Sequence, residues 1–326
     1  MHALVSPTPS FLFLSTVMNN YIKIARPDHW IKNAFILPGI VFACLLTSRR
    51  LSFEIIGHLL IGFTATCLIA SANYVINEWL DADFDKHHPT KSLRPAVAGG
   101  MNVRIVTAEY LALAIGGIGL SLLLSPYFLI TELVLLFMGI IYNVRPFRSK
   151  DVAFFDVISE SFNNVIRLFL GWFIVTSEWL PPVSIIIGYW MGGAFLMAVK
   201  RYAEFRMIDN HELAGLYRKS FRSYSEKSLL ISAMFYALTS VFFCGIFLIK
   251  YRLELLLAMP LLCGLFCLYL YISFEKDSAV QKPEKLYKQR FLMVYSATFA
   301  LIVLALMFIN IPSLEALLNK TLIKAP

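Results

Sequence analysis

Asn73, Asn77, Asp81 and Asp85 recur every four residues in NYVINEWLDADFDKHHPTKSLRP, residues 73–95. On a helix, at about 100° and 1.5 Å per residue, they form one polar stripe. Asp81 and Asp85 are hard oxygen ligands one turn apart, with the Asn77 amide below them. That set suits Mg²⁺, which takes carboxylates together with substrate phosphates. The basic cluster that follows, Lys86, His87, His88, Lys91 and Arg94, suits a polyanion. The competing reading is a solvated helix end, which has no need to keep every acid on one face.

Three further polar clusters accompany the stripe. YNVRPFRSKD, Tyr142 to Asp151, ends an apolar run at Arg145-Pro146 and turns Arg148 and Lys150 toward water. Basic residues at a cytoplasmic helix end are half expected from topology alone. In the next apolar run Asp156, Glu160, Asn163 or Asn164, and Arg167 follow at spacings of three and four. Ionisable groups within a membrane cost a few kcal/mol unless they are paired or line a wet cavity. Either a self-satisfied ion pair or an anion site at Arg167 accounts for them. KRYAEFRMID, Lys200 to Asp209, offers two readings. Lys200 and Glu204 could form a helix-end pair one turn apart, or Lys200 and Arg201 could bind phosphate. His87 and His88 point apart on a helix, which suits hydrogen bonding or phosphate contact better than a metal.

The elements that position these clusters are membrane helices. The 326-residue chain is 58% hydrophobic and 15% charged, and its mean hydropathy is +0.68. A polytopic, all-α membrane protein has that composition; a soluble domain of this size does not. Apolar runs of about 20 residues place nine transmembrane helices near 28–47, 53–80, 104–124, 126–143, 153–177, 180–199, 228–249, 252–274 and 291–310. Most of the 29 Lys and Arg residues fall at the start and in the loops after the second, fourth, sixth and eighth helices. The positive-inside rule then puts the N-terminus and these loops in the cytoplasm of an inner-membrane protein, and the C-terminus outside. Between Arg201 and Lys227 there is room for a short amphipathic helix whose apolar face would use Phe205, Ile208, Leu213, Leu216 and Tyr217.

Cys44, Cys67, Cys244, Cys263 and Cys267 lie in apolar runs without metal-site spacing, as small core residues do. Residues 1–20 form a poor signal peptide, read as a disordered extension with Met18 as the natural start. Residues 21–312 form one nine-helix domain, and 313–326 a short tail.

The motif Asn77-Glu78-Trp79-Leu80-Asp81-Ala82-Asp83-Phe84-Asp85 resembles the NDxxDxxxD signature of the UbiA superfamily of intramembrane prenyltransferases, with Glu78 in place of the usual Asp. The resemblance implies nine transmembrane helices around a central cavity with cytoplasmic caps. Ordinary members carry a second acidic DxxxD motif after the sixth helix. Here that position reads Lys200-Arg201-Tyr202-Ala203-Glu204, a lysine replacing the first acid. RPDHWIKN (Arg26 to Asn33), HPTKSLRP (His88 to Pro95), KRYAE and PEKLYKQR (Pro283 to Arg290) look like the branch that contains decaprenylphosphoryl-5-phosphoribose synthase. YNVRPFRSKD is closer to the wider superfamily's pattern, and Gln289 stands where that branch has an acid.

That branch joins phosphoribosyl pyrophosphate to a polyprenyl phosphate. The resemblance implies Asn77, Asp81 and Asp85 as the catalytic, Mg²⁺-holding set. Lys91, Arg94, Lys200 and Arg201 would bind phosphates of the sugar donor, with His88, Tyr142, Asp156 and Glu204 around them. The lipid would enter from the bilayer with its head near Lys32, Lys150 or Arg167. An anionic phosphate is already a nucleophile, so no general base is required. Partners are then the lipid, the sugar donor and the bilayer; nucleic acid is not among them, and a homo-oligomer is allowed. Two other readings stand beside this one. The first is a conventional transfer of a prenyl group from its diphosphate to an aromatic or other lipid acceptor. The second is a transporter or lipid-binding membrane protein without catalysis, whose charges would instead lie at mid-membrane on broken helices, often in two related halves.

Overall fold

The second apolar run is where local sequence does most to shape the site. Its helix begins at Ser52, whose hydroxyl accepts the Ile55 N–H at 3.3 Å, a standard N-cap for otherwise orphaned donors. It then continues past the expected end at residue 80 to Asp85, 33 residues in all. The acidic stripe is therefore a continuation of a membrane helix and has a fixed rotation about its axis. The computed structural model describes residues 20–49, 52–275, 278–281 and 283–314. Most of the expected N-terminal extension and C-terminal tail lies outside these residues.

Among the described residues the chain is helical, without strands. In order the α-helices of seven residues or more are α1 (Leu37–Thr47), which follows a 3-10 stretch at Pro27–Ile36, α2 (Phe53–Asp85), α3 (Val103–Ser121), α4 (Pro126–Asn143), α5 (Phe155–Val175), α6 (Val183–Ile208), α7 (His211–Tyr217), α8 (Glu226–Tyr251), α9 (Met259–Ser273) and α10 (Arg290–Phe308). Eight helices among the described residues are long and apolar enough to cross a membrane. The other expected span, α5, is a 21-residue helix carrying Asp156, Glu160 and Arg167. Large side chains such as Phe53, Ile115, Ile231, Phe242 and Leu301 are exposed, as a lipid-facing surface requires. Cys267 is exposed with them. It departs from the core position expected of it.

The chain divides into two compact units, one running through Leu180 and including Ile208–Ser225, the other comprising Pro181–Met207 and the chain from Glu226 on. In the first, α2 lies along α3 and α4, and α1 crosses α5. Ile36, Ile40, Ile69, Phe128, Leu135, Leu170 and Trp172 form its core. The crossing of α1 and α5 depends on two glycines. A Cβ on Gly171 would lie 2.0 Å from the Ile36 carbonyl oxygen, and one on Gly39 2.1 Å from that of Leu168. Without hydrophobic drive between helices in lipid, close backbone approach through small residues provides much of the packing. Gly171→Ala should therefore destabilise the protein by about 1–3 kcal/mol, read as a lower thermal midpoint in detergent. An unchanged midpoint would mean the crossing is looser than these distances.

In the second unit, Ser240 of α8 donates to the Gly188 carbonyl of α6 at 2.8 Å. Tyr295 of α10 donates to the Leu261 carbonyl of α9 at 3.0 Å across Gly264, where a Cβ would meet the Tyr295 hydroxyl. Polar side chains bonding across helices are the expected adhesive of a bundle in lipid.

Candidate active site

The lower part of the stripe on α2 is used for packing. Asn73 donates to the Leu135 carbonyl of α4 at 2.9 Å, in the space left by Gly139, where a Cβ would collide with the Asn73 amide. One turn higher, Asn77 Nδ2 donates to Asn143 Oδ1 at 2.5 Å. Asp81 and Asp85, another one and two turns up, line a narrow cleft with Phe84, Arg148, Lys150, Asp151, Tyr217 and Arg218.

Each acid of the cleft faces cations. Asp81 Oδ1 accepts Arg148 Nη2 at 2.7 Å and lies 2.6 Å from Lys150 Nζ. Asp85 is paired with Arg94. Arg148 is fixed in turn by the Asn143 carbonyl at 3.0 Å and by Asp151 at 3.2 Å. Its guanidinium carbon lies 4.8 Å from the Phe84 ring centroid, a cation–π distance. Lys150 Nζ also donates to Asn143 Oδ1 at 2.7 Å. Burial pushes the Lys150 ammonium down to about 8, while Asp81 beside it pulls the other way. Lys91 reaches the Tyr217 hydroxyl. His88, buried, accepts the backbone N–H groups of Thr90 and Lys91 on Nδ1 at 3.2 Å, so it shapes the turn that delivers Lys91.

Other expected residues stand elsewhere. Tyr142 donates to Glu160 at 2.8 Å and accepts Arg218 Nη1 at 3.4 Å. Asp156 has no exposed surface and faces Ser220, Tyr224 and Arg218. Arg167 is buried in α5 and donates to Asn33 Oδ1 at 3.0 Å and the Asn163 carbonyl at 3.1 Å. Lys32 lies 3.1 Å from His29 Nδ1. Neither Arg167 nor Lys32 lines the cleft. Lys200, Arg201 and Glu204 belong to the second unit. There Glu204 accepts Arg201 Nη1 at 3.3 Å, both side chains buried.

Sequence reasoning did not single out Arg218 or Arg26. Arg26 donates through Nη2 at 2.5 Å and Nε at 2.9 Å to Glu78 Oε2, inside the fold. Glu78 sits three residues before Asp81 on α2 and is buried, and its Oε1 finds no hydrogen-bond partner. Arg218 follows a seven-residue helix, α7, in a segment with no local pattern that would reveal it.

Among the described residues no group of three His, Cys, Asp or Glu side chains could hold a metal ion by itself. The two carboxylates one turn apart that line the cleft suit a divalent ion that takes its remaining ligands from water and phosphate. Mg²⁺ is such an ion.

The profile of the UbiA prenyltransferase family matches residues 35–297. A decaprenyl-phosphate phosphoribosyltransferase of Mycolicibacterium smegmatis is 29% identical over 220 residues, covering 65% of this chain. The chain thus spans 65% of that relative's length. One from Corynebacterium glutamicum is 30% identical over 210 residues, 63% of this chain and 59% of the relative. The solved structure of a UbiA homolog from Archaeoglobus fulgidus bound to DMAPP and Mg²⁺ superposes with a TM-score of 0.67 at 21% identity, covering 89% of this chain and 100% of that one.

Proposed function

Because the chain belongs to the UbiA prenyltransferase family and is an integral membrane transferase, we propose that it moves phosphoribose from 5-phosphoribosyl 1-pyrophosphate to a polyprenyl phosphate and releases pyrophosphate. The observation that carries this reading is the charge of the cleft. Two carboxylates stand among Arg94, Arg148, Lys150 and Arg218, with Lys91 beside them. A donor with two phosphorylated positions needs both a metal-holding acid pair and several cations. Lys200-Arg201 in place of a second acidic motif and the relatives' printed names support the same donor.

In this reading Asp81 and Asp85, with Asn77 below them, would hold Mg²⁺, which would supply positive charge to a departing diphosphate. Arg94, Arg148, Lys150 and Arg218 bind phosphate oxygens and shield the mutual repulsion of donor and acceptor. Lys32, in the 3-10 stretch before α1, and Arg167, buried in α5, receive the lipid phosphate from the bilayer. Its oxygen attacks the anomeric carbon, the C–O bond to pyrophosphate breaks, and the configuration inverts. The cleft opens to the cytoplasm, where the soluble donor is present, with residues 21–312 as one functional domain.

Purified protein given Mg²⁺, phosphoribosyl pyrophosphate and a polyprenyl phosphate should release pyrophosphate and form a lipid-linked phosphoribose. Turnover of a prenyl diphosphate with an aromatic acceptor, and none of the sugar donor, would overturn the reading in favour of conventional prenyl transfer. Lys200→Ala should raise KM for the sugar donor about tenfold, the loss of one charge-assisted contact, and leave KM for the lipid unchanged. An unchanged donor KM would remove Lys200 from the site.

A further inference from the structure

Asp156, on the first turn of α5, has no surface exposed to solvent. Tyr224 Oη donates to its Oδ1 at 2.6 Å and Ser220 Oγ to its Oδ2 at 3.2 Å. Arg218 Nη1 lies 3.6 Å from Oδ2. The same Tyr224 oxygen accepts the Phe154 N–H at 2.6 Å, where Phe154 holds φ at 66°, a conformation uncommon for a bulky residue. One buried acid thus gathers three donors from residues 218–224 and ties them to the start of α5. On the far side of the segment, Lys91 reaches Tyr217, and Lys219 lies 3.4 Å from Asp151.

The segment cannot hold itself. It consists of the seven-residue α7 and a five-residue 3-10 turn at Lys219–Ser223, and isolated helices this short do not persist in water. Yet two of its residues, Tyr217 and Arg218, line the cleft with Asp81 and Asp85. Their position depends on attachments made elsewhere. Of these, Asp156 is the one that is fully buried and takes donors from three residues of the segment.

We infer that Asp156 is a positioning residue, which does not touch substrate but fixes residues 209–224 so that Tyr217 and Arg218 stand at the cleft. A carboxylate suits this place for a physical reason. It offers an acceptor oxygen to each of two hydroxyls and a charge to the guanidinium; an amide supplies one good acceptor and no charge. Only the identity of the cleft's ligand rests on the transferase reading; the attachment does not.

The test uses the full chain in detergent. Asp156→Asn should speed trypsin cleavage after Arg218, Lys219 and Arg222 about tenfold, with the thermal midpoint within a few degrees of the parent. It should also weaken binding of inorganic pyrophosphate, measured with Mg²⁺ present, about tenfold. Tyr224→Phe, which deletes a single hydroxyl, should give about a threefold change in cleavage. Unchanged cleavage in a folded Asp156→Asn protein overturns the inference; if that variant does not fold, unchanged cleavage in Tyr224→Phe does so. Faster cleavage with unchanged pyrophosphate affinity overturns the link to the cleft. If the parent protein binds neither pyrophosphate nor phosphoribosyl pyrophosphate, the transferase reading fails, and cleavage alone decides the attachment.

Discussion

Asp81→Asn is expected to lower kcat/KM by about 10³-fold or more and to leave the helix that carries it standing. The amide fills the same volume, so the packing of α2 is untouched. What it loses is the negative charge between Arg148 and Lys150 and the oxygen proposed as a donor to Mg²⁺. The two cations keep other acceptors, Asn143 and Asp151 for Arg148 and Asn143 for Lys150, so the local structure has no reason to collapse. The measurement is pyrophosphate release together with the thermal midpoint of the detergent-solubilised protein. Turnover that survived this change would place the chemistry somewhere other than the stripe. A midpoint that dropped by more than a few degrees would show that Asp81 also serves stability.

Lys150→Met should have the second-largest effect, about 10²-fold in kcat/KM for the sugar donor, consistent with removing a charged hydrogen bond worth roughly 2–3 kcal/mol. Lys150 Nζ is within hydrogen-bond distance of Asp81 and Asn143 Oδ1, and Asn143 Oδ1 also receives Asn77. The ammonium therefore links Asp81 to Asn77 by way of Asn143. Burial already works against its charge, which pushes its pKa down to about 8. An apolar side chain of similar length removes that cost, and Asp81 keeps Arg148, so the midpoint should stay level or rise. Kinetics varied separately in donor and in lipid will decide the role. A loss confined to the lipid would move Lys150 to the acceptor side of the reaction, and no loss would make it structural.

Much of the fold was legible because membrane helices announce themselves by length and apolarity. The fourth span, 126–143, has the expected bounds, and the second differs chiefly in running on through the acidic stripe. The four-residue spacing made that helical extension legible, and the cations of two loops neutralise its acids. α5 shows the opposite effect. Its polar residues break the apolar pattern, yet they sit against partners from other elements, Arg167 on Asn33 and Asp156 on Ser220 and Tyr224. His88 is a polar residue whose type suggested substrate contact and whose position shows a turn-shaping bond.

By itself the sequence determined the class of the protein and the existence of its acidic stripe. Apolar length selects helices in lipid, and a four-residue spacing puts Asn77, Asp81 and Asp85 on one side of a helix whatever surrounds it. The tertiary structure alone decided which cations meet those acids. Arg148 and Lys150 on Asp81, Arg94 on Asp85 and Arg218 at the cleft's edge come from segments up to 137 residues apart along the chain, by the numbering of Asp81 and Arg218. No local periodicity encodes such meetings. They follow from where α2, α4 and α5 pack, from the turn at 149–151, and from a buried acid that anchors a short loop.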